Sequence, residues 1–539
     1  MGRCMFLPRI VYSILYLLFI LFFLATFLNK RQENTGFTWL IYFGNEFYIE
    51  RPTLFPNSVL AHENFGYDGQ HYAQLALDPM LKREETQQAL DNFSYRSRRI
   101  LFSWTAYLLG FGNPEWIVQV YAVQNAVAWL LVALLLLFWL PPKSYQNLLR
   151  YFCILFSAGV IISVLRALLD LPSLLLILTF ALLVEKARPK SAIASLAMAT
   201  LAKDHSVLCF AGLVKKIDLS LKSIIKHIVR LAIVVAPLFL WIVYVFLVDD
   251  APSGSSFSGF NNFAFPILNW LHKIFELIRL STSEGLHRYL VFEILTCISI
   301  LTQIGYFAIN REPKNFWWRV GAINALLILS LGYNVMQDAL FAVSRVALPM
   351  TVAFNIAFPR TLKTLPILVL ANLLVIPGLM LIDTNVSPER NYATLDRAPL
   401  RAPETRKIED LRFSSEWYQL EHSGDDIWRW SQGNASIELT NPLAHSLSMD
   451  FQFELLTIDP RTVSIRQENK ELWTSSFSKD GRHLVTLSGE LTPGINRFDF
   501  LTEEAVSRLE VDPRNLAFAI RNFRMRLKRG ENPLAHQVE

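Results

Sequence analysis

Hydrophobic residues occur in long blocks over the first 384 residues of the chain and alternate with polar residues over much of the remainder. An uncharged run of about 20 apolar residues lets a helix cross a bilayer, and shorter runs need tilt or burial against neighbouring helices. Residues 1–383 are therefore predicted to form a membrane all-α bundle of about 11 transmembrane helices. The apolar blocks lie at 10–28, 115–140, 151–165, 171–184, 191–202, 206–214, 230–248, 288–309, 320–334, 346–358 and 365–383.

Basic residues recur in alternate connections between these blocks, beginning with Lys143 and Arg150 and ending with Arg360 and Lys363. Connections rich in Lys and Arg face the cytoplasm in most membrane proteins. This bias places the N-terminus in the cytoplasm, and an odd number of helices then places the chain after residue 383 on the outer side. Residues 29–114 form one long loop on that same outer side.

The pattern changes to an alternation of apolar and polar residues from about residue 415. Period-two runs separated by turn signals are typical of antiparallel strands. Residues 415–539 are predicted to form a soluble, all-β sandwich of jelly-roll type. A linker at residues 384–414, rich in proline and charge, joins it to the helical part. The predicted strands are 435–440, 448–454, 462–466, 483–487 and 497–500.

Composition excludes several classes of protein. The 539 residues are 52% hydrophobic and 18% charged, with 22 glycines and four cysteines, which excludes disordered, collagen-like and disulfide-stapled chains. The apolar blocks also exclude a purely cytosolic enzyme. The first 384 residues contain 31 Lys and Arg against 22 Asp and Glu, an excess explained by the cytoplasmic connections and by basic residues on the outer side. Nucleic acid is therefore not expected as a partner.

Charged side chains recur at the predicted outer ends of the helices. Ionisable groups at the edge of an apolar bundle are costly to desolvate, so they are candidates for a functional site. Separate segments bring such residues to the same predicted side, which favours one shared site over unrelated polar turns. The candidates are Tyr67, Asp68, Gln70, His71, Tyr72, Arg96, Arg98, Arg99, Arg166, Asp170, Lys203, Asp204, His205 and Arg345.

A carboxylate surrounded by Arg and Lys at a membrane surface suits one kind of reaction. The cations hold a lipid-linked phosphate, and the carboxylate takes a proton from an acceptor hydroxyl. Asp68 is the candidate base. Gly69 beside it allows a substrate to approach the backbone closely, and Tyr67 and Tyr72 are placed to lie against a sugar ring. The candidates for phosphate binding are Arg98, Arg99, Arg166, Lys203 and Arg345.

These residues also have structural interpretations. Asp68 and the glycine after it form a common turn pair, Asp170 before a Leu-Pro pair suits a helix cap, and the arginines after residue 95 could anchor the loop to membrane lipids. His71 and His205 are interpreted as hydrogen-bonded polar residues, because no grouping of His, Cys and Asp has the spacing of a metal site. The sequence leaves open whether a divalent cation, Mg²⁺ or Mn²⁺, is a cofactor.

Several motifs resemble those of bacterial multi-pass proteins of the C-type glycosyltransferase (GT-C) superfamily, particularly those involved in forming cell-surface glycopolymers. The resemblance covers most of residues 1–383. It departs at Lys203-Asp204, where relatives commonly have Arg-Glu, and at Leu169, where a polar residue is frequent. The motifs are Tyr67-Asp68-Gly69-Gln70-His71-Tyr72 with Leu77-Asp78-Pro79, Tyr95-Arg96-Ser97-Arg98-Arg99-Ile100-Leu101, Arg166 with Asp170-Leu171-Pro172, Ala202-Lys203-Asp204, and Ser344-Arg345-Val346-Ala347-Leu348-Pro349.

The resemblance implies an enzyme of the bacterial inner membrane that takes a sugar from a polyprenyl-phosphate donor, usually with inversion of the anomeric centre. It also implies an acidic residue of the first outer loop as the base, a role that would fall on Asp68. We expect Asp170 and Asp204 to orient the cations or the acceptor. The acceptor is expected to be a glycan or a lipid on the periplasmic side, where it serves the formation of cell-surface polysaccharide.

Two other functions stay open. A transporter or flippase for lipid-linked glycans uses similar cations without a base, although no internal repeat is visible in this sequence. A non-catalytic scaffold of a polysaccharide assembly complex would bind through its sandwich. The sandwich resembles modules attached to surface-polysaccharide enzymes around Trp428 and Trp430 and over residues 515–521, and similar modules often bind carbohydrate. The two tryptophans are candidates for glycan binding, with packing in the core or against the membrane part as the structural alternatives.

Overall fold

Helices make up the first part of the chain and strands the last part in a computed structural model of the protein. The chain divides into two compact units, Met1–Asn391 and Tyr392–Glu539. Most of the predicted linker, residues 384–410, lies outside the residues that the structure describes. Those described are 2–32, 35–44, 56, 59, 61–62, 66–83, 86–87, 90, 92–214, 220–248, 262–283, 285–382, 411–418, 421–423, 426–441, 446–468, 470–509 and 512–527.

Capping residues set where several helices of the first unit begin. The side chains of Asn92, Asn113 and Ser144 each accept a hydrogen bond from a backbone N–H of the following turn, which satisfies a donor without a partner inside the helix. The α-helices are Gly2–Leu28, Gly69–Leu77, Phe93–Ser97, Leu101–Leu109, Pro114–Leu136, Tyr145–Leu155, Ala158–Leu165, Asp170–Glu185, Pro189–Ala202, Leu221–Val248, Leu268–Ser283, Arg288–Ile309, Phe316–Leu329, Tyr333–Met336, Ser344–Val346, Leu348–Ala357, Leu365–Leu370 and Val375–Ile382. Tighter 3₁₀-helices span Thr38–Ile41, Asp204–Leu213 and Leu362–Thr364, and a π-helix spans Ala339–Val343.

The described part of the chain contains four helices that are long and apolar enough to cross a membrane. Three further pairs of helices, bent by 41°, 61° and 54°, raise the number to seven if each pair forms one span. These findings are compatible with a multi-pass membrane protein. The four single helices are Arg9–Leu28, Pro114–Leu136, Leu221–Val248 and Arg288–Ile309, and the bent pairs begin at Tyr145, Ala339 and Leu362.

The described helices therefore support four to seven spans rather than the about 11 expected from the sequence. The prediction counted every apolar block as one crossing. The blocks at 171–184, 191–202 and 206–214 instead lie in elements of 16, 14 and 10 residues, which are shorter than a bilayer crossing requires. Apolar sequence alone does not separate a spanning helix from a short helix buried among its neighbours.

Close packing of two segments fixes the position of Arg345. Gly159 lies in the helix Ala158–Leu165, and a Cβ atom added to it would stand 2.4 Å from the carbonyl oxygen of Ser344. Only a residue without a side chain leaves room for this contact. The segment Ser344–Val346 therefore lies directly against the helix that ends just before Arg166.

Arg150 fixes the other end of the helix that follows Arg345. Its side chain is fully buried, and its guanidinium donates to the carbonyl oxygens of Asn355 at 2.6 Å, Phe358 at 2.8 Å and Pro359 at 2.9 Å. Carbonyl groups at the end of a helix have no partner inside it and carry partial negative charge, so a cation stabilises them. Arg150 thus has a structural role in addition to its use in predicting orientation.

The second unit contains two five-stranded sheets whose main strand pairs are antiparallel. Two short pairs, Phe43–Gly44 with Ala61–His62 in the first unit and Ser507–Leu509 with Asp512–Leu516 in the second, complete the described strands. The first sheet has the strand order Arg482–Leu491, Leu447–Thr457, Phe518–Leu527, Asp426–Trp430 and Glu421–Ser423. The second has the order Leu411–Phe413, Ala435–Asn441, Gly494–Leu501, Arg461–Gln467 and Lys470–Phe477.

The two sheets share one hydrophobic core, as expected for a sandwich. The ring of Phe451 in the first sheet lies 4.9 Å from that of Phe498 in the second, and Phe453 lies 5.9 Å from Phe500. All five predicted strands are present with slightly longer bounds, so the period-two pattern is confirmed. The strand Leu411–Phe413 pairs into the second sheet although it precedes the predicted start of the domain at residue 415.

Candidate functional site

Six cations and three carboxylates lie together where segments of the helical unit meet. One group comes from the start of the helix Gly69–Leu77, and three come from the segment after Asn92. The others come from the turn before the helix Asp170–Glu185, from the turn after the helix Pro189–Ala202, and from the segment Ser344–Val346. The structure therefore brings together the charged residues that the sequence singled out. The charged cluster consists of Asp68, Arg96, Arg98, Arg99, Arg166, Asp170, Lys203, Asp204 and Arg345.

Asp68 stands at the N-terminus of the helix Gly69–Leu77, but its side chain makes no capping hydrogen bond there. Its Oδ1 accepts from Nη1 of Arg96 at 2.7 Å, and its Oδ2 lies 3.3 Å from Nη1 of Arg345. Burial raises the pKa of Asp68, but the two guanidiniums outweigh this effect and hold it below its usual range. The Asp68 carboxylate is therefore ionised, and 31% of its side chain is exposed. Its hydrogen bonds go to arginines and not to the backbone of the helix that it precedes.

Arg345 joins two carboxylates and a phenol. Its Nη1 lies 3.3 Å from Oδ2 of Asp68 and 3.3 Å from Oδ2 of Asp170, and its Nη2 donates to the hydroxyl oxygen of Tyr67 at 3.1 Å. Its Nε also donates to the carbonyl oxygen of Phe341 at 2.5 Å. A planar guanidinium has donors in a fixed fork, so one arginine can hold several acceptors in a defined geometry.

Lys203 and Asp170 form a second, more deeply buried ion pair. Asp170 is the first residue of its helix, where the partial positive charge of the helix end favours a carboxylate. Arg166 closes the preceding helix and Ala167 has a left-handed backbone, so residues 166–169 form a turn between two helices. Arg166 and Asp170 thus stand at the two ends of one turn and belong to different helices.

Arg98 and Arg99 hold the third carboxylate, that of Asp204. Nη2 of Arg99 lies 3.2 Å from Oδ1 of Asp204, and Nη2 of Arg98 lies 3.9 Å from its Oδ2. Arg99 also donates to the hydroxyl of Tyr72 at 3.2 Å and to that of Tyr95 at 2.9 Å. The Tyr95 ring lies under both guanidiniums, at 4.9 and 4.4 Å from its centroid. Sequence reasoning did not single out Tyr95, although it begins the motif that contains these arginines.

Arg166 has aromatic neighbours instead of a carboxylate. Its guanidinium carbon lies 3.2 Å from the centroid of the Tyr42 ring and 6.0 Å from that of Tyr67. No ion pair links Arg166 to an acidic residue in the part of the chain that the structure describes. Cation–π contacts stabilise a guanidinium without neutralising its charge, so Arg166 keeps a charge that an anionic ligand can balance.

The charged cluster has more positive than negative charge. Among the described residues, six cations face three carboxylates, and these nine side chains together carry a net charge of +3. Excess charge of one sign is costly away from bulk water unless a ligand of the opposite sign is bound. The cluster is therefore suited to an anion with several oxygen acceptors, such as a phosphate group.

The remaining predicted residues surround the cluster. Gln70, His71 and Tyr72 are buried in the helix that begins after Asp68. Among the described residues, no group of three His, Cys, Asp or Glu side chains is placed to hold a metal ion. The three carboxylates of the cluster each contact Arg or Lys, so their present arrangement does not fit Mg²⁺ or Mn²⁺ as a ligand set.

The sequence predicted that Gly69 lets a substrate approach the backbone closely. In the structure, Gly69 instead lets two other backbone segments pack against its helix. A Cβ atom at this position would stand 2.2 Å from the carbonyl oxygen of Arg166 and 2.8 Å from that of Ile41.

We expect Gly69→Ala to destabilise the helical unit by about 1–3 kcal/mol, because neither backbone segment can move without displacing the cluster. Thermal unfolding in detergent measures this loss. Gly305→Ala, where a Cβ meets no atom within 4 Å, is the matched control, and equal stability of both variants would contradict the prediction.

His205 makes the stability of the cluster depend on pH. Burial and the nearby Lys203 lower the pKa of His205 from 6.5 to about 3, so the folded protein keeps it neutral. Between about pH 6.5 and 3 the unfolded chain binds a proton that the folded chain does not. The free energy of unfolding therefore falls with decreasing pH, by up to about 1.4 kcal/mol per pH unit.

We expect His205→Gln to remove this contribution to the pH dependence. Unfolding temperatures measured in detergent from pH 7 to pH 5 would fall less steeply for the variant than for the unmodified chain. His272→Gln, at an exposed histidine of the same unit, should keep the original slope. An unchanged slope in His205→Gln would show that His205 is accessible to protons in the folded state.

Trp428 and Trp430 lie on the strand Asp426–Trp430 of the sandwich, and both are half-buried. The indole N–H of Trp428 donates to Oε2 of Glu421 at 3.3 Å, and Glu421 also binds Arg514 at 2.6 Å. Neither tryptophan belongs to the core between the sheets as the described residues define it. The structure thus argues against packing in the core, and glycan binding stays a prediction.

No model of a protein family and no curated protein matches this chain. A crystal structure of a Podospora anserina GH26-CBM35 β-(1,4)-mannanase is 14% identical, over 23% of this chain and 28% of the mannanase chain, with a TM-score of 0.16. A mutant of a family 29 carbohydrate-binding module is 15% identical over 23% of this chain and 87% of its own, with a TM-score of 0.15. These similarities do not assign the chain to a family.

Proposed function

We propose that this protein is an integral membrane glycosyltransferase of the C-type superfamily. It transfers a sugar from a polyprenyl-phosphate carrier to a glycan or lipid acceptor. The observation that supports this most directly is the position of Asp68, whose two carboxylate oxygens contact arginines from two distant segments. A carboxylate among cations combines a base for an acceptor hydroxyl with positive charge for a phosphate leaving group.

The positive charge that the carboxylates do not neutralise is assigned to the donor phosphate. Arg166 has no acidic partner among the described residues, so its charge is the least neutralised. Arg345 adds a second guanidinium, because each of its two carboxylate partners is also paired with another cation, Arg96 or Lys203. Arg98, Arg99 and Lys203 complete the phosphate site from the other segments. Asp170 and Asp204 hold Lys203 and Arg99 in position when no phosphate is bound.

These positions support the following reaction. Asp68 accepts the proton of an acceptor hydroxyl while the oxygen of that hydroxyl attacks the anomeric carbon of the donor sugar. The bond between the anomeric carbon and the phosphate oxygen breaks, and the electron pair leaves with the polyprenyl phosphate. Arg345 and Arg166 stabilise the negative charge that develops on this leaving group. Attack from the side opposite the phosphate inverts the anomeric centre.

Donor binding also increases the basicity of Asp68. In the structure Arg96 and Arg345 hold the pKa of Asp68 below its usual range, which makes it a weak base. A phosphate that draws Arg345 away removes one of these cations from the carboxylate. The pKa of Asp68 then rises toward the range in which a general base works well. Proton transfer is thereby favoured only when a donor is present.

The site is assigned to the periplasmic side of the bacterial inner membrane, where it would contribute to cell-surface polysaccharide. The sandwich is proposed to bind glycan through Trp428 and Trp430, which lie outside its core. Paired tryptophans on one face of a strand offer flat apolar surfaces for sugar rings, and Glu421 beside Trp428 adds a polar partner.

Turnover by the purified protein tests the proposal. The chain in lipid nanodiscs is offered polyprenyl phosphates that carry different labelled hexoses and pentoses, and transfer to an acceptor or to water is measured. We expect release of free polyprenyl phosphate with at least one donor. Movement of an intact labelled donor across a vesicle membrane without cleavage would favour a flippase. Neither cleavage nor movement would favour a scaffold.

A further inference from the structure

Aromatic side chains form a row that extends from Tyr67, beside the charged cluster. The Tyr67 ring centroid lies 6.4 Å from that of Phe341, which lies 6.4 Å from Tyr289, which in turn lies 6.5 Å from His287. The last two pairs are stacked, with interplanar angles of 18° and 7°. Tyr289 is 44% exposed, so this part of the row is open to a ligand. We call these four residues the aromatic row.

Asp338 lies beside the aromatic row with only one carboxylate oxygen in use. Its Oδ1 accepts from the backbone N–H of Phe341 at 3.0 Å and from the hydroxyl of Tyr289 at 3.1 Å. Within the described part of the chain, no group donates to its Oδ2 and no cation pairs with it. Burial raises the pKa of Asp338 above its usual range, whereas the two arginines hold the pKa of Asp68 below it. Asp338 thus presents a hydrogen-bond acceptor next to stacked rings.

A buried ion pair fixes the loop that carries Asp338. Nζ of Lys273 lies 2.5 Å from Oε2 of Glu293, and both side chains are 3% exposed. Lys273 also donates to the carbonyl oxygen of Gln337 at 2.7 Å, and Oε1 of Glu293 accepts from the backbone N–H of Leu340 at 3.2 Å. Charges buried in this way hold a backbone segment in one arrangement. The ion pair therefore preorganises the residues on both sides of Asp338.

We propose that the aromatic row and Asp338 form the binding site for the sugar unit of the acceptor. The inference rests on the proposed glycosyltransferase function and identifies the acceptor side of the same site. A pyranose ring has an apolar face that packs on an aromatic ring and hydroxyls at its edge. Tyr289 provides the surface, and Oδ2 of Asp338 accepts a hydrogen bond from a sugar hydroxyl.

Electrostatics distinguish this site from the donor site. A phosphate would be repelled by the unpaired carboxylate of Asp338, whereas a neutral sugar hydroxyl donates to it. The cations of the charged cluster lie on the Tyr67 side of the row, where Arg345 donates to the Tyr67 hydroxyl. A sugar on Tyr289 and Phe341 would therefore extend toward Asp68, where its neighbouring hydroxyl could be deprotonated.

The test compares the acceptor and donor requirements of variants. The full chain in nanodiscs receives the polyprenyl-phosphate sugar that it cleaves, and membranes of the same bacterium lacking the gene supply the acceptor. We expect Tyr289→Ala and Asp338→Asn each to raise the acceptor amount for half-maximal transfer at least tenfold. Loss of a hydrogen bond to a charged group weakens binding by roughly 10- to 150-fold. The donor concentration for half-maximal rate should change less than twofold.

Tyr145→Ala is the matched control, because Tyr145 is 43% exposed but lies outside the row. Tyr289→Phe keeps the ring, so it can be tested even if Tyr289→Ala does not fold. We expect Tyr289→Phe to raise the acceptor requirement less than Tyr289→Ala does. Unchanged acceptor requirements in both Tyr289→Ala and Asp338→Asn would overturn the acceptor site and leave the glycosyltransferase function standing. Failure of the unmodified chain to cleave any donor would contradict the function itself.

Discussion

Asp68→Asn is expected to lower the rate of sugar transfer by about 10²- to 10⁴-fold, the range that a positioned general base contributes. Asparagine has the shape of aspartate, and its carbonyl oxygen can still accept from Arg96, but it cannot take a proton from the acceptor. Turnover of a cleaved donor in nanodiscs measures the effect. We expect the affinity for polyprenyl phosphate to be retained or increased, because the charged cluster loses one negative charge.

The sandwich contains a matched control for this variant. Asp499 accepts from Nε of Arg497 at 2.8 Å, much as Asp68 accepts from Arg96 at 2.7 Å. Asp499→Asn also removes a carboxylate paired with an arginine, and it should leave turnover unchanged. Transfer by Asp68→Asn at the rate of the unmodified chain would mean that another group is the base. Loss of polyprenyl-phosphate binding together with turnover would instead mean that Asp68 acts by holding the arginines.

Arg345→Met is expected to weaken the binding of polyprenyl phosphate by about 10- to 150-fold, the equivalent of one charge-assisted hydrogen bond. The pairs of Asp68 with Arg96 and of Asp170 with Lys203 remain after this change, so we expect the helical unit to fold. What is lost is the bridge between the two carboxylates and part of the excess positive charge. Competition by unlabelled polyprenyl phosphate against a labelled analogue measures the affinity.

Arg345→Lys separates charge from geometry at the same position. Lysine keeps the positive charge, but its single ammonium group cannot reproduce the fork that reaches Asp68, Asp170 and Tyr67. We expect an affinity between those of the unmodified chain and Arg345→Met. Arg360→Met, at an exposed arginine outside the cluster, is the control and should bind normally. Normal phosphate affinity in Arg345→Met would remove Arg345 from the donor site.

The contacts among the candidate residues could be predicted from the sequence only in part. The sequence placed Asp68, Asp170 and Asp204 near basic residues, because ionisable groups among apolar blocks stand out against their surroundings. It did not assign partners. Arg345 lies 277 positions from Asp68 in the chain, and their contact depends on how the helices between them pack. The role that we propose for Asp338 was not predicted either, because a lone aspartate beside a short helix has no local signature.

The division into an apolar helical part and an alternating β part was predictable from the sequence, as were five strands, because each of these features repeats with a period set by local backbone geometry. Contacts between distant segments have no such period and became visible only in the three-dimensional structure. It showed that several apolar blocks are short helices, that Gly69 accommodates the carbonyl of Arg166, and that Arg345 joins Asp68 to Asp170. These outcomes depend on close packing between segments distant in sequence, where a single methyl group or one shared cation decides which contacts are made.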